Sequence, residues 1–213
     1  NLAPHLSSHH RLRGTEPQAL TTLERETQQM ATEVVLRHHE RLAGNGIQNA
    51  AALIIEVATG EVVAYVGNVP HFSPALHHNH VDIIQARRST GSVLKPLLYS
   101  AMLRDGALMP DQIIPDIPTR VGGFSPLNFG RTYDGAVPAS KALARSLNVP
   151  AVRMLQEYGL DRFYAELESL GMSTLTKPAS HYGLSLILGG SEASLWELTG
   201  IYAGLARATV QGR

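Results

Sequence analysis

Residues 50–66, AAALIIEVATGEVVAYV, hold two β-rich runs on either side of Ala58-Thr59-Gly60-Glu61. Apolar and β-branched residues fill both runs, and the break between them carries the glycine of a turn. A connection this short joins antiparallel neighbours only, so the segment predicts a β-hairpin and excludes a βαβ unit. It is the one clear sheet signal in the chain. A lone two-stranded hairpin is barely stable in water and needs further strands or a helix on its face.

Helices are what the flanking sequence offers. Thr21 and Glu24 suggest a capping box, and Leu23, Met30, Ala31, Val34, Val35 and Leu42 mark one helical face that Gly44 ends. Residues 1–20 show no period and read as an exposed linker. On the other side, residues 67–91 form a long irregular connection with HHNH at 77–80 and RRSTG at 87–91. A helix follows from about Ser92, with Leu94, Leu98, Ala101 and Met102 inward, and stops at Asp105-Gly106. Residues 110–137, rich in proline and glycine, read as a structured surface loop. Further helices are expected at 138–145, 149–158, 161–170 and 191–207, with Asp161 and Ser191 as N-caps and Gly159 and Gly171 as stops. Two strands with about six helices is a lopsided inventory, so the rest of the sheet is expected to lie outside this sequence.

Composition narrows the class without choosing a function. The 213 residues are 44% hydrophobic, enough for a core and against disorder. Eighteen basic and eighteen acidic residues cancel, which leaves no electrostatic footprint for nucleic acid. No apolar run reaches the length of a membrane span, and no signal peptide is evident at the start. The absence of cysteine excludes disulfides, thiol nucleophiles and cysteine zinc sites.

Chemistry enters at Ser92-Val93-Leu94-Lys95, where a hydroxyl and an amine three residues apart share one face of a helix start. A serine hydroxyl needs a base to take its proton. A lysine serves if burial or neighbouring positive charge lowers its pKa. Helix-start N–H groups suit negative charge developing on a carbonyl oxygen. Gly91 allows a tight turn that exposes the hydroxyl, and Pro96 is tolerated in the first helical turn. The ordinary alternative is a capping serine beside a solvated lysine. Downstream, Ser146-Leu147-Asn148 falls between two helical runs, where a short loop could present a relay hydroxyl with a carboxamide that docks a peptide bond. Ser-x-Asn alone is also consistent with a simple helix cap.

GSVLKP at 91–96, SLNVPAVRML at 146–155 and LILGGSEASLWELTGIYAGLA at 186–206 closely resemble the transpeptidase domain of class A, bifunctional penicillin-binding proteins. APHL at 3–6, TTLE at 21–24, ATGEVVAYVG at 58–67 and PLNF at 126–129 with Tyr133-Asp134-Gly135 fit the same pattern in order. The resemblance implies an α+β, penicillin-recognising serine transpeptidase and β-lactamase-like fold, an antiparallel sheet with helices. It divides the chain into an interdomain linker over 1–20 and the N-terminal portion of the transpeptidase domain over 21–213. Of the family's three motifs, Ser-x-x-Lys and Ser-x-Asn map onto Ser92, Lys95, Ser146 and Asn148, while Lys-Thr-Gly is absent. The only lysine after the second motif is Lys177, in Thr176-Lys177-Pro178. On this reading the chain is a fragment of a larger protein with a glycosyltransferase domain and a membrane anchor, and is inactive alone.

For the parent protein the resemblance implies acyl transfer on cell-wall stem peptides at the periplasmic side of the membrane, without a cofactor. Ser92 is then the nucleophile, Lys95 its base and Ser146 a proton relay, while Asn148 binds the substrate amide. The implied partners are stem peptides, β-lactam antibiotics, the missing C-terminal half of the domain and other cell-wall synthesis proteins. A serine β-lactamase or β-lactam sensor would need a group to activate water, and spacing assigns no glutamate that role. A non-catalytic binding scaffold on the same fold is the alternative from another class. His77, His78 and His80, with Asp82 nearby, read as exposed loop residues rather than zinc ligands. His38 and His39 read as surface residues, and Tyr158, Trp196 and Tyr202 as core or groove aromatics.

Overall fold

The computed structural model describes residues 2–13, 19–69 and 78–211, which belong to two compact units, one of residues 1–87 with 194–213 and one of residues 88–193. In the first unit, α1 (Pro4–Arg13), α2 (Arg25–Leu42), β1 (Ala52–Ile55) and β2 (Val62–Val66) come from the start of the chain. The helix Leu195–Gln211 comes from its end. The hairpin forms as expected: β1 and β2 are antiparallel, with Leu53 opposite Tyr65 and a bulge where Ile54 faces Ala64 but Ile55 faces Val62. Its turn closes through the Glu56 N–H on Glu61 O at 2.9 Å, and Gly60 supplies the positive φ of +80° that the turn requires.

A two-stranded sheet leaves each strand one bare edge, and here polar groups of the segment entering α2 cover that of β2. Thr22 Oγ1 donates to Val62 O at 2.7 Å and the Glu24 N–H to Val63 O at 3.0 Å. Gln28 then acts as a strand substitute, its Oε1 accepting from the Tyr65 N–H at 2.7 Å and its Nε2 donating to Tyr65 O at 3.1 Å. The buried face of α2 is therefore Gln28, Ala31, Val35 and His39, and Ala31 and Val35 meet Ala64, Val66 and Val69 in one apolar cluster. This corrects the sequence reading on several points. Met30, Val34 and Leu42 face outward, and His39 is buried on the i+4 position from Val35. No capping box forms at Thr21, because the Glu24 carboxylate takes the Thr27 hydroxyl instead. The left-handed residue after the helix is Gly46, beyond a short 3₁₀ turn, not Gly44.

The segment read as an exposed linker contains α1, and Ala3 and His5 are buried. His5 bonds Asn79 O at 2.7 Å and lies against Gly67, where a Cβ would stand 2.5 Å from His5 Cβ. The last helix packs on β1 and is tied to the hairpin turn by Arg207 Nε on Val57 O at 2.8 Å. Its cap is Ser194, in a reciprocal box with Glu197, and not Ser191. Trp196, 44% exposed, lines an open groove with Leu20, Leu23 and Val62. His77 lies outside the described residues. His78 and His80 meet edge to face at 5.9 Å, whereas Asp82 is taken up by the Tyr65 hydroxyl and the Ile84 N–H. Among the described residues no helix is long and apolar enough to cross a membrane.

The second unit runs β3 (Arg88–Ser89), α3 (Lys95–Arg104), β4 (Ile113–Asp116), β5 (Gly135–Pro138), α4 (Ala139–Ala144), α5 (Asn148–Tyr158), α6 (Leu160–Ser169), α7 (Ala179–Tyr182) and β6 (Glu192–Ala193). β4 pairs antiparallel with β5, and β3 with β6. The expected loop over 110–137 thus begins and ends in paired strands, hidden from sequence reading by Pro115 and Pro138 within four-residue runs. α5 is the spine: Val149, Val152, Met154 and Leu155 are all buried, each contributing roughly 1.5–3 kcal/mol of apolar burial. Leu94, Leu98, Ala101 and Met102 point inward from α3 and its approach, as their spacing predicts. Gly159 and Gly171 take positive φ at helix ends, also as predicted, although Asp161 lies inside the first turn of α6 rather than capping it. Asp105 ties three helices together, accepting from Arg104, Tyr158 and Arg162. Arg104 first, then the Tyr158 hydroxyl, holds its carboxyl down at about 2.

Gln28→Leu keeps the apolar volume but strips Tyr65 of both partners. It should destabilise the chain by about 2 kcal/mol or more, read as a lowered midpoint in urea with an unchanged slope.

Candidate active site

Ser92 sits in the turn that leads into α3. Gly91, at φ +51°, allows the chain to reverse there. Bonds from Val93 N to Thr90 O (3.0 Å) and Lys95 N to Ser92 O (3.2 Å) tighten the turn before the helix proper. Ser92 is exposed, and among the described residues neither its hydroxyl nor its N–H has a hydrogen-bond partner. The turn is held from behind by sequence a hundred residues away. Thr90 N–H donates to Ser191 O at 3.1 Å, and the buried hydroxyls of Thr90 and Ser191 meet at 3.2 Å. Gly189 is so close that a Cβ there would stand 2.7 Å from Gly91 N and Cα.

One helical turn on, Leu94 and Leu98 flank Lys95 in the core, and the lysine is itself only 2% exposed. Its ammonium has three N–H groups and meets three acceptors on one short loop: Ser146 O at 2.7 Å, Ser146 Oγ at 3.1 Å and Asn148 Oδ1 at 2.7 Å. Burial nonetheless pushes the amine down from the usual lysine range to about 8, because desolvation penalises the charged form. The structure therefore joins Lys95, Ser146 and Asn148 and leaves the Ser92 hydroxyl outside their hydrogen bonds.

The loop owes its shape to two helix ends. α4 closes with the Ser146 N–H on Leu143 O at 2.8 Å and the Leu147 N–H on Ala142 O at 2.9 Å. This is the paired bonding of a Schellman motif, which puts Ser146 at the left-handed position with φ +52°. Glycine is the usual residue there, and a side chain costs roughly 1–2 kcal/mol. Serine at this position delivers a hydroxyl to Lys95. α5 then opens at Asn148, whose Nδ2 donates to Leu127 O at 2.8 Å, turning Oδ1 toward the lysine. The Asn148 and Val149 N–H groups both donate to Asn128 Oδ1, and Asn128 is anchored on the buried Asp116. Sequence reading assigned no role to Asp116, Asn128 or Gly189. Asn128 lay within the quoted PLNF run, but nothing local marks it as the cap of a helix twenty residues away. Lys177 lies exposed in a bend after α6, not on a strand.

No group of three or more His, Asp or Glu side chains that could hold a metal occurs among the described residues. A buried amine with a lowered pKa, a hydroxyl and a carboxamide bonded to it, and an exposed serine three residues before the lysine are groups that acyl transfer can use.

Residues 50–207 match the family model of the penicillin binding protein transpeptidase domain, and the chain belongs to that family. Among curated proteins it is similar to penicillin-binding protein 1C of Escherichia coli (strain K12), 34% identical over 193 residues, 91% of this chain and 25% of that protein. Penicillin-binding protein 1B of Vibrio cholerae is 32% identical over 143 residues, 62% of this chain and 17% of that one. The chain thus spans about a quarter or less of the length of these relatives. Among solved structures, the PonA1 protein of Mycobacterium tuberculosis in complex with penicillin V has the same fold, with a TM-score of 0.72 at 21% identity over 94% of this chain and 56% of that one. The expected fold class and family therefore hold.

Gly189→Ala adds a methyl against the Gly91 backbone at a glycine with φ +96°. It should cost about 2 kcal/mol or more, read by urea denaturation, whereas Gly123→Ala, where a Cβ meets nothing within 4 Å, should change stability by less than about 0.5 kcal/mol.

Proposed function

We propose that residues 21–213 carry the acylation centre of a peptidoglycan D,D-transpeptidase, with Ser92 as nucleophile, Lys95 as general base, Ser146 as proton relay and Asn148 as ligand of the substrate amide. The buried Lys95 amine, bonded to both Ser146 and Asn148, supports this reading more than any other feature. Ser92 Oγ attacks the carbonyl carbon between the two terminal D-alanines of a stem peptide, and its proton passes to neutral Lys95 Nζ. The C–N bond breaks, the departing D-alanine amine receives a proton through Ser146, and an acyl-serine ester remains. An amine of a neighbouring stem peptide then attacks that ester, gives up a proton through the same groups, and releases Ser92 with a new amide formed. A β-lactam would open on Ser92 in the first step and stay there as an ester. Once neutral, Lys95 keeps two N–H groups and frees a lone pair, which makes it able to receive a hydroxyl proton. Catalytic hydrogen bonds commonly tighten only when substrate binds, which accommodates the unpaired Ser92 hydroxyl.

For the parent protein this reading includes a glycosyltransferase activity and a place on the periplasmic side of the cytoplasmic membrane, held by an N-terminal anchor. Its partners are stem peptides, β-lactams, the strands that bear Lys-Thr-Gly and other cell-wall synthesis proteins. This sequence contains no Lys-Thr-Gly, so the oxyanion site keeps only the Ser92 N–H and the chain alone should not acylate. A second reading, a non-catalytic scaffold, draws on the full occupation of the Lys95 donors by the 146–148 loop.

Fluorescent penicillin labelling of the full-length protein, with mass mapping, separates the two. The adduct should fall on Ser92 and vanish in Ser92→Ala, and Lys95→Met should slow acylation by about a hundredfold or more. The charged amine cannot accept a proton, so the rate should climb about tenfold per pH unit below the lysine's pKa near 8 and level off above it. A wild-type protein that takes up no label from pH 6 to 10 would favour the scaffold.

A further inference from the structure

The first N–H groups of any helix lack partners within it, and at α5 the preceding residue, Leu147, brings no side-chain cap. Two of the orphan donors, the N–H groups of Asn148 and Val149, instead converge on Asn128 Oδ1 at 2.9 and 3.2 Å. The other end of the same amide donates to Asp116 Oδ1 at 2.7 Å and to Thr132 O at 3.0 Å. Asn128 is 4% exposed, and both ends of its amide are used. Flipping it would press oxygen against a carboxylate and a carbonyl, and N–H against N–H, so it has one allowed orientation. Asp116 is fully buried, and its second oxygen takes the Asp134 N–H at 2.9 Å. A buried carboxylate is costly unless its acceptors are filled, so Asp116 demands a donor where Asn128 stands. The neighbouring Leu127 O orients the Asn148 amide toward Lys95. Of the charged groups nearby, Arg145 pairs with Asp134 and also attracts Asp116 through space, and the only side chains with hydrogen bonds to Lys95 Nζ among the described residues are Ser146 and Asn148.

Building on the acylation reading above, we propose that Asn128, locked by Asp116, is a positioning residue for the transfer: it fixes the entrance of α5 so that Ser146 and Asn148 hold the Lys95 amine in place. It touches neither substrate nor nucleophile and acts through the 146–148 loop.

Acylation of the full-length protein by fluorescent penicillin, followed from pH 5 to 10, tests this with two variants. Asn128→Asp can still cap α5 but faces Asp116 with a second carboxylate, bonded only while the two share a proton. Its profile should turn from a rise into a bell, with acylation about tenfold or more below wild type on the alkaline side. Exchanging the pair, Asp116→Asn with Asn128→Asp, restores one donor and one acceptor across the contact and leaves a single carboxylate. It loses the bond to Thr132 O and hence some rate, but the profile should recover the shape of the wild type's plain rise. A merely structural role would lower stability and leave the shape of the profile alone. An Asn128→Asp profile that tracks wild type, or an exchanged pair that keeps the bell, overturns the proposal. Should Asn128→Asp fail to fold, the exchanged pair is compared with Asp116→Asn: a faster double variant supports the proposal and an equally slow one refutes it. Wild-type protein that never acylates sinks the acylation reading itself, an outcome distinct from wild type and Asn128→Asp acylating alike.

Discussion

A lysine amine withdrawn from water has to be matched by acceptors, and that requirement organises the second unit. Lys95 follows Leu94 and precedes Leu97 and Leu98, all buried, so its side chain leaves solvent as α3 packs. Three acceptors within three residues, at 146 and 148, meet it. No regular helix or strand presents two side-chain acceptors and a carbonyl to one point. The chain achieves it by ending one helix in a left-handed residue and starting the next immediately. Each departure from regular structure there has a compensating partner: the α4 carbonyls are closed by the Ser146 and Leu147 N–H groups, and the α5 N–H groups by Asn128. Burial holds the amine below the usual lysine range, at about 8, because desolvation penalises its charged form.

The exposed serine is held by the opposite strategy. Among the described residues nothing bonds to its hydroxyl, and the turn around it is constrained from beneath. The Thr90–Ser191 contact and the approach of Gly189 to Gly91 fix the backbone with small residues that leave the outer face open. A serine presented this way keeps its hydroxyl accessible while its position is determined by packing. The same economy appears in the first unit, where one glutamine amide replaces a neighbouring strand for Tyr65 and so closes part of the edge of a sheet only two strands wide.

How much of this could be read in advance depended on distance along the chain. The hairpin at 50–66, the inward face at Leu94, Leu98, Ala101 and Met102, and the glycine stops at 159 and 171 follow from spacing and turn chemistry within a few residues. Errors arose where an ordinary local pattern met an unusual partner. Met30 and Val34 have the period of a core face, but Gln28 claims the sheet and turns α2 so that His39 goes in. Pro115 read as a loop residue and Pro138 as the start of a helix, yet both lie in short paired strands, Pro115 opposite Ala136 and Pro138 opposite Ile113. Ser191 looks like a helix cap, but its place against Thr90 leaves that task to Ser194.

By itself the sequence determined most of the helices, the hairpin and the family, and it put Ser146 and Asn148 in one loop. Those are consequences of backbone periodicity and helix termination, which neighbours within about four residues control. Only the tertiary structure decided that the lysine turns to the Ser146–Asn148 loop rather than to Ser92. The tertiary structure alone also made Asn128 and Asp116 the support of that loop and Gly189 the support of the turn that carries Ser92. Hydrogen bonds that span twenty to a hundred residues leave no period in a sequence. They exist because buried polar groups must find partners once the core has excluded water.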